Sequence, residues 1–120
     1  MGVQVIFPQH GYETLRRWPR YNVDVPVRMI AHKHTIVQGR GKELNRGGMA
    51  VFAGIELSVG EQVAVEFTPP YYGHPIRVRA SVRHRNGYTY GIEFMDENET
   101  DHENALRLES ILKTFGSIAN

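Results

Sequence analysis

The chain has 120 residues, the length of one ordinary domain, and its 41% hydrophobic and 22% charged residues are typical of a folded globular protein. It contains no cysteine, which excludes disulfides and thiolate metal sites, and no apolar run long enough to cross a bilayer. The net charge is only +1, yet residues 1–50 hold eight basic and three acidic residues, whereas residues 96–120 hold two basic and six acidic ones. A basic first half favours an anionic partner.

The first 21 residues show no clear period and are predicted to form a flexible arm. The arm lacks the features of a secretion signal, so we expect a cytoplasmic protein. It ends in RRWPR, with Arg16, Arg17 and Arg20. Arginine suits bidentate contacts with phosphate or with the O6/N7 edge of guanine, although a solvated basic arm explains the residues equally well. Trp18 either stacks on a base or anchors the arm against the rest of the protein.

Residues 22–99 are predicted to form six antiparallel β-strands. The first strand alternates apolar and polar side chains, and Pro26 within it requires a sheet edge or an unpaired side. In the second strand, Gly39 and Gly41 indicate a β-bulge. Six short strands with turn signals between them predict a small barrel or sandwich.

The clearest strand is IRVRASVRHR, which begins at Ile76 and is followed by Asn86 and Gly87. These two residues predict a hairpin with a type I′ turn, in which both would have positive φ. The polar face of the strand is rich in arginine, which is typical of a solvent-facing strand but leaves open a surface for non-specific nucleic-acid binding. The arginines are Arg77, Arg79, Arg83 and Arg85.

Residues 100–116 are predicted to form a C-terminal α-helix. Thr100 and Glu103 match a capping box, and Gly116 is the expected end of the helix. An apolar stripe at helical spacing lies between them, and we expect it to pack on the barrel rather than on a partner protein. The stripe consists of Ala105, Leu108, Ile111, Leu112 and Phe115.

The sequence gives little support for catalysis, and we expect neither an enzyme nor a bound cofactor. His32 and His34 lie at strand spacing and are able to share a metal ion. No third ligand of suitable spacing accompanies them, so two exposed histidines near a turn are the simpler interpretation.

The stretch ELNRGGMAV ends one strand, turns through two glycines and enters the next strand. Such a turn exposes backbone N–H groups and lets a ligand approach closely. Glu43 and Asn45 are two residues apart and are expected to project on the same side, where a carboxylate can accept hydrogen bonds from the N1 and N2 donors of guanine. Taken alone, an N-R-G-G turn is usually only a hairpin.

Together, these two segments resemble the PilZ domain, the bacterial receptor for cyclic di-GMP. Its RxxxR motif is matched by Arg16 and Arg20. Its second motif, D/N-x-S-x-x-G, falls on Glu43, Asn45 and Gly48, with Glu in place of Asp or Asn and Asn in place of Ser. The closing strand YGIEF and the helix after it also resemble this family.

The resemblance covers about residues 14–115 and implies a mainly β fold, a six-stranded antiparallel β-barrel of the PilZ split-barrel type with a C-terminal helix. It also implies a receptor that binds cyclic di-GMP between the arm and the barrel, changes conformation and signals to an unknown downstream protein. Neither a membrane nor a specific nucleic acid is an expected partner. The ligand-binding residues would be Arg16, Arg17, Arg20, Glu43, Asn45 and Gly48.

Three alternatives stay open. The departures at Glu43 and Asn45 are compatible with a degenerate PilZ adaptor that binds a protein partner without nucleotide. A barrel that binds nucleic acid non-specifically would show a steep salt dependence. A flavin enzyme on a split barrel would be coloured, and no residue argues for it.

Overall fold

The computed structural model describes residues 18–69 and 73–119, which form six antiparallel β-strands and one α-helix. The elements are β1 (Tyr21–Ala31), β2 (Thr35–Asn45), β3 (Gly48–Ala53), β4 (Gln62–Phe67), β5 (Ile76–Asn86), β6 (Thr89–Phe94) and α1 (Glu99–Ala119). The strands close into a barrel in the order β1-β2-β3-β6-β5-β4, and β4 pairs back onto β1. The predicted six-stranded barrel with a C-terminal helix is therefore confirmed. Within the described ranges, no helix is both long enough and apolar enough to cross a bilayer.

Alternate side chains of the strands fill the barrel interior, as the period-2 patterns predict. In β5, for example, Ile76, Val78 and Ala80 are buried, whereas Arg77 and Arg79 between them are exposed. Because side chains occupy the interior, a polar ligand has to bind on the outer surface of the barrel. The largest fully buried side chains include Met29, Leu44, Met49, Leu57, Ile76, Tyr90, Ile92 and Leu108.

The close approach of β1, β2 and β3 depends on Gly41. A Cβ atom at this position would lie 2.6 Å from the sulfur of Met49 and 3.2 Å from methyl groups of Val25 and Val27. The register between β2 and β3 shifts between Gly41 and Glu43, so the predicted bulge is confirmed. A bulge redirects the residues after it, and here those residues lead into the β2–β3 turn.

Pro26 lies where the pairing between β1 and β4 stops. Its partner in β2 is Arg40, and the β4 register begins one residue later, at Val27. The strand is part of a closed barrel, but Pro26 has no β4 residue opposite it, which is the unpaired side that its missing N–H requires.

The β5–β6 hairpin forms where the sequence predicts it, but its turn is shifted by one residue. Strand pairing extends to Asn86 and Thr89, so Gly87 and Tyr88 are the central residues of the turn. Gly87 has a φ of 65°, whereas neither Asn86 nor Tyr88 has positive φ. The predicted type I′ turn is therefore wrong, and a single positive φ at the first central residue fits type II′ instead.

The apolar stripe of α1 packs on the barrel, as predicted. Leu108, Ile111 and Leu112 are buried and belong to the same hydrophobic cluster as the barrel interior. Farther along, the ring of Phe115 contacts the ring of Tyr21 edge-on, with 5.6 Å between their centroids. Tyr21 is the first residue of β1, so this contact joins the helix to the start of the barrel.

Both ends of α1 differ from the prediction. Asn98 caps the helix instead of Thr100, because Asn98 Oδ1 accepts a hydrogen bond of 2.8 Å from the N–H of Asp101. At the other end the helix passes through Gly116 and continues to Ala119. A glycine inside a helix costs only about 1 kcal/mol, which is too little to end it.

An ion pair fixes the beginning of α1 to β5. The buried carboxylate of Asp101 accepts hydrogen bonds from Arg79 Nε at 3.2 Å and Nη2 at 2.5 Å, and from the backbone N–H of Glu97 at 3.0 Å. The Arg79 hydrogen bonds hold the pKa of Asp101 below its ordinary value, although burial of the carboxyl opposes them. The ionised carboxylate is therefore the form that the fold stabilises.

We expect Asp101→Asn to lower the free energy of unfolding by about 1–3 kcal/mol at neutral pH, because hydrogen bonds between charged groups are lost. A carboxyl whose pKa is depressed in the folded state stabilises the fold fully above its unfolded pKa of about 3.9, and this stabilisation disappears as the pH falls through the folded pKa. Urea unfolding of both proteins should show a constant difference between about pH 5 and 7 that shrinks below about pH 4. A difference that is independent of pH would contradict this role.

A second prediction concerns packing inside the barrel. Gly41→Ala should lower the free energy of unfolding by about 1–3 kcal/mol, because its methyl group would overlap Met49 and its neighbours. Gly54→Ala is the matched control, since nothing lies within 4 Å of the added methyl group. Urea or thermal unfolding of the two variants checks the difference, and equal stabilities would contradict the tight contact at Gly41.

Candidate functional site

The side chain of Asn45 holds the turn between β2 and β3. Its Oδ1 accepts hydrogen bonds from the N–H groups of Gly47 at 2.7 Å and Gly48 at 2.9 Å. Asn45 is only 1% exposed, so these groups satisfy one another away from water. The carbonyl of Gly47 in turn accepts a hydrogen bond of 2.9 Å from the N–H of Phe94, which fixes the turn to the end of β6.

This arrangement adds a role for Asn45 that the sequence analysis does not assign. The sequence places Asn45 beside Glu43 as a residue that contacts a base. In the structure its amide oxygen accepts hydrogen bonds from the backbone of the turn, and Glu43 is the member of the pair that is partly exposed. The carboxylate of Glu43 is therefore the more accessible hydrogen-bond acceptor on this strand.

Four of the predicted site residues line one shallow depression on the outside of the barrel: Arg20, Glu43, Asn45 and Gly48. Arg20 Nη1 lies 3.9 Å from Glu43 Oε1, and the two side chains are 47% and 44% exposed. The depression has a volume of about 10 Å³, which is room for one water molecule. A larger ligand bound there would therefore need a second segment of protein to cover it.

The other two predicted residues, Arg16 and Arg17, lie outside the described residues. The next residue, Trp18, is described, and the guanidinium carbon of Arg46 lies 5.1 Å from the centroid of its ring. This distance is within the range of a cation–π contact. Trp18 therefore anchors the end of the arm to the β2–β3 turn, which is one of the two roles predicted for it.

Arg46 is a site residue that the sequence analysis misses. It lies inside the second motif, between Asn45 and Gly47, and it contacts the helix as well as the arm. Its Nη1 is 3.5 Å from Glu109 Oε1, and the two side chains are 20% and 29% exposed. Because Trp18 and Glu109 lie far from it in sequence, no local pattern identifies these contacts.

A cleft of about 330 Å³ borders the same turn. This volume is at the lower end of those that hold small ligands. Its walls carry both charges, and one of the acidic groups is the buried Glu93, which accepts a hydrogen bond of 2.7 Å from Arg83 Nε. The arm, the turn, β5, β6 and α1 all contribute to it, through residues that include Trp18, Arg46, Gly47, Ser81, Arg83, Glu93 and Ala105.

The arginine-rich face of β5 is largely paired with carboxylates. Arg79 anchors α1, Arg83 binds Glu93, and Arg85 Nη2 lies 3.9 Å from Glu56. These contacts break up the continuous positive surface that a nucleic-acid backbone needs. The geometry therefore argues against the non-specific nucleic-acid alternative.

The two histidines considered as metal ligands lie at the β1–β2 turn. His32 Nδ1 is 2.9 Å from Glu61 Oε2, and His34 follows in the same turn. Across residues 18–69 and 73–119, no group of three histidine or acidic side chains is arranged to hold a metal ion.

The sequence is similar to a known protein family. The family model described as PilZ domain matches residues 14–109. No curated protein sequence matches the chain significantly.

Solved structures share the fold at low sequence identity. The PilZ domain of CeSA from a cellulose-synthesizing bacterium is 20% identical, with a TM-score of 0.65 over 79% of this chain and 98% of that one. The PilZ domain of YcgR from Escherichia coli, solved with c-di-GMP, is 16% identical, with a TM-score of 0.61 over 87% and 96%. The Bacillus subtilis inhibitor of motility (MotI/DgrA) is 17% identical, with a TM-score of 0.63 over 85% and 52%.

The role of Asn45 leads to a prediction about stability. Asn45→Ala should lower the free energy of unfolding by about 1–3 kcal/mol, because the N–H groups of Gly47 and Gly48 lose their acceptor in a buried place. Asn45→Ser should retain most of the stability, since a hydroxyl can accept hydrogen bonds from the same turn. Urea unfolding tests the order wild type, Ser, Ala, and a Ser variant as unstable as the Ala variant would contradict it.

Proposed function

Because this chain belongs to the PilZ domain family, we propose that it binds cyclic di-GMP between its arginine arm and the β2–β3 turn. The observation that carries the proposal is the convergence of Arg20 with Glu43, Asn45 and Gly48 around one depression. The residues come from two separate segments, and each offers chemistry that a guanine dinucleotide uses. The geometry thus supports a binding function.

Arg20 and Glu43 at the depression are able to exchange each other for groups of the ligand. Arg20 and Glu43 are 3.9 Å apart and both well exposed, and such surface pairs contribute only about 0.2–1 kcal/mol. A phosphate can take the guanidinium in a bidentate contact, and a guanine can donate its N1 and N2 hydrogens to the carboxylate. Charge-assisted hydrogen bonds of this kind contribute about 1.5–3 kcal/mol each, so the exchange favours the ligand.

The two departures from the family motif are compatible with this function. The Asn45 oxygen holds the turn through two backbone N–H groups, and a serine hydroxyl can perform the same task. Glu43 keeps the carboxylate and extends it by one methylene group. Both substitutions therefore preserve the chemistry of the position, which favours a nucleotide receptor over a degenerate adaptor.

Binding at so shallow a depression requires a cover, and the arm is the segment that can supply it. The arm enters β1 beside the depression, with Arg20 at its end and Arg16 and Arg17 just before it. We propose that the arm closes over the nucleotide and that this change is recognised by a downstream protein. The absence of cysteine fits a reducing compartment such as the bacterial cytoplasm.

Calorimetric titration with cyclic di-GMP tests the proposal. We expect saturable binding by the wild type with a dissociation constant in the micromolar range, which corresponds to a binding free energy of about −8 kcal/mol. Arg20→Ala should weaken binding by about tenfold or more, since it removes charge-assisted hydrogen bonds. Arg28→Ala is the matched control, because Arg28 also lies in an exposed ion pair, 3.4 Å from Glu66 and 44% exposed, but outside the depression. Its affinity should stay within about twofold of the wild type.

Two outcomes would overturn the proposal in different ways. If the wild type binds no cyclic di-GMP at millimolar concentration, the chain is an adaptor for a protein partner. If Arg20→Ala and Arg28→Ala weaken binding equally, the interaction depends on overall charge rather than on this depression.

A further inference from the structure

Arg46 lies at the centre of the second motif, yet its guanidinium is held by groups outside that motif. It lies over the ring of Trp18 at 5.1 Å and pairs with Glu109 of α1 at 3.5 Å. The pair is more enclosed than the one between Arg20 and Glu43, since its side chains are 20% and 29% exposed rather than 47% and 44%. A cation beside the proposed nucleotide site is therefore occupied by a carboxylate of the helix.

We propose that Glu109 of α1 competes with the phosphate groups of the dinucleotide for Arg46. This inference rests on the proposed binding of cyclic di-GMP. Arg46 would be a further anion-binding residue, and its ion pair with Glu109 a latch that ligand binding opens. The helix then acts as a built-in competitor that lowers the affinity for the nucleotide.

The geometry of the latch favours its replacement by phosphate. An N–O distance of 3.5 Å is longer than the 2.7–2.9 Å of a strong charge-assisted hydrogen bond, so Glu109 does not use the guanidinium fully. A phosphate can form two parallel hydrogen bonds with the edge of the same group. The ring of Trp18, whose centroid is 5.1 Å from the guanidinium carbon, is a separate contact that does not depend on Glu109 and can persist when Glu109 leaves.

Opening the latch would loosen only the second half of α1. The first half is fixed independently, by the Arg79 contact with Asp101 and by a hydrogen bond of 3.2 Å from Asn104 Nδ2 to the carbonyl of Arg77. The second half is attached by Glu109 and by the buried side chains of Ile111 and Leu112. Because coupling between two equilibria is reciprocal, a helix that weakens nucleotide binding must itself be weakened by the nucleotide.

The test compares Glu109→Gln with Glu103→Gln. Both substitutions remove one negative charge from α1, but Glu103 is exposed and lines neither the depression nor the cleft. In calorimetric titrations with cyclic di-GMP, Glu109→Gln should bind about two- to fivefold more tightly than the wild type, the range that an ion pair of this kind contributes. Glu103→Gln should bind like the wild type.

Amide hydrogen exchange gives a second measurement, which reports on local opening of α1 rather than on the net charge of the protein. In the wild type, cyclic di-GMP should speed amide exchange in residues 109–115 and leave residues 99–105 unchanged. Glu109→Gln should exchange faster in residues 109–115 before any ligand is added, and the nucleotide should change it less. Glu103→Gln should show the full wild-type response.

The outcomes separate this inference from the proposed function. Equal affinities in all three proteins, with saturable binding, would overturn the latch and leave the receptor intact. Weaker binding by Glu109→Gln would also overturn it, because Glu109 would then support the site. Absence of binding in all three proteins would overturn the proposed function, and the latch with it.

Discussion

Two hydrogen bonds to a single amide oxygen hold the turn at which the arm, the barrel and the helix meet. Asn45 Oδ1 fixes the N–H groups of Gly47 and Gly48, and the resulting tight turn contributes residues to two surface hollows. Asn45 and Gly48 line the shallow depression beside Arg20, whereas Arg46 and Gly47 line the larger cleft beside α1. The turn thus lines both the depression and the cleft, so a molecule bound in the depression is separated from α1 by only a few residues.

The uneven charge of the sequence is explained in part by contacts within the chain. The ion pairs between the basic barrel and the acidic C-terminal segment include Arg79 with Asp101 and Arg46 with Glu109. The first is short and supported by a backbone hydrogen bond, so it anchors the helix. The second is longer and lies next to the candidate site. One charge pattern therefore supplies both a permanent attachment and a weaker one.

Local sequence patterns predict most of this fold because period-2 alternation and glycine positions report directly on strand geometry. Local patterns fail where two nearby residues fit the same structural position equally well. Asn98 and Thr100 are both good helix caps, and Asp101, whose N–H donates to Asn98, also binds Arg79 of a strand that is distant in sequence. Arg46 and Glu109 fail to stand out for the same reason, since each is an ordinary surface residue until the fold brings the two together.

The mismatch in length between β1 and β4 has a consequence for how the molecule meets other proteins. β1 has eleven residues and β4 has six, so within residues 18–69 and 73–119 the first half of β1 pairs with no residue of β4. Unpaired strand backbone is a template for adding a strand from another chain. Pro26 stands at the boundary and removes one N–H donor from that template. Pro26 thereby makes the pairing of a strand from another chain at this position less favourable.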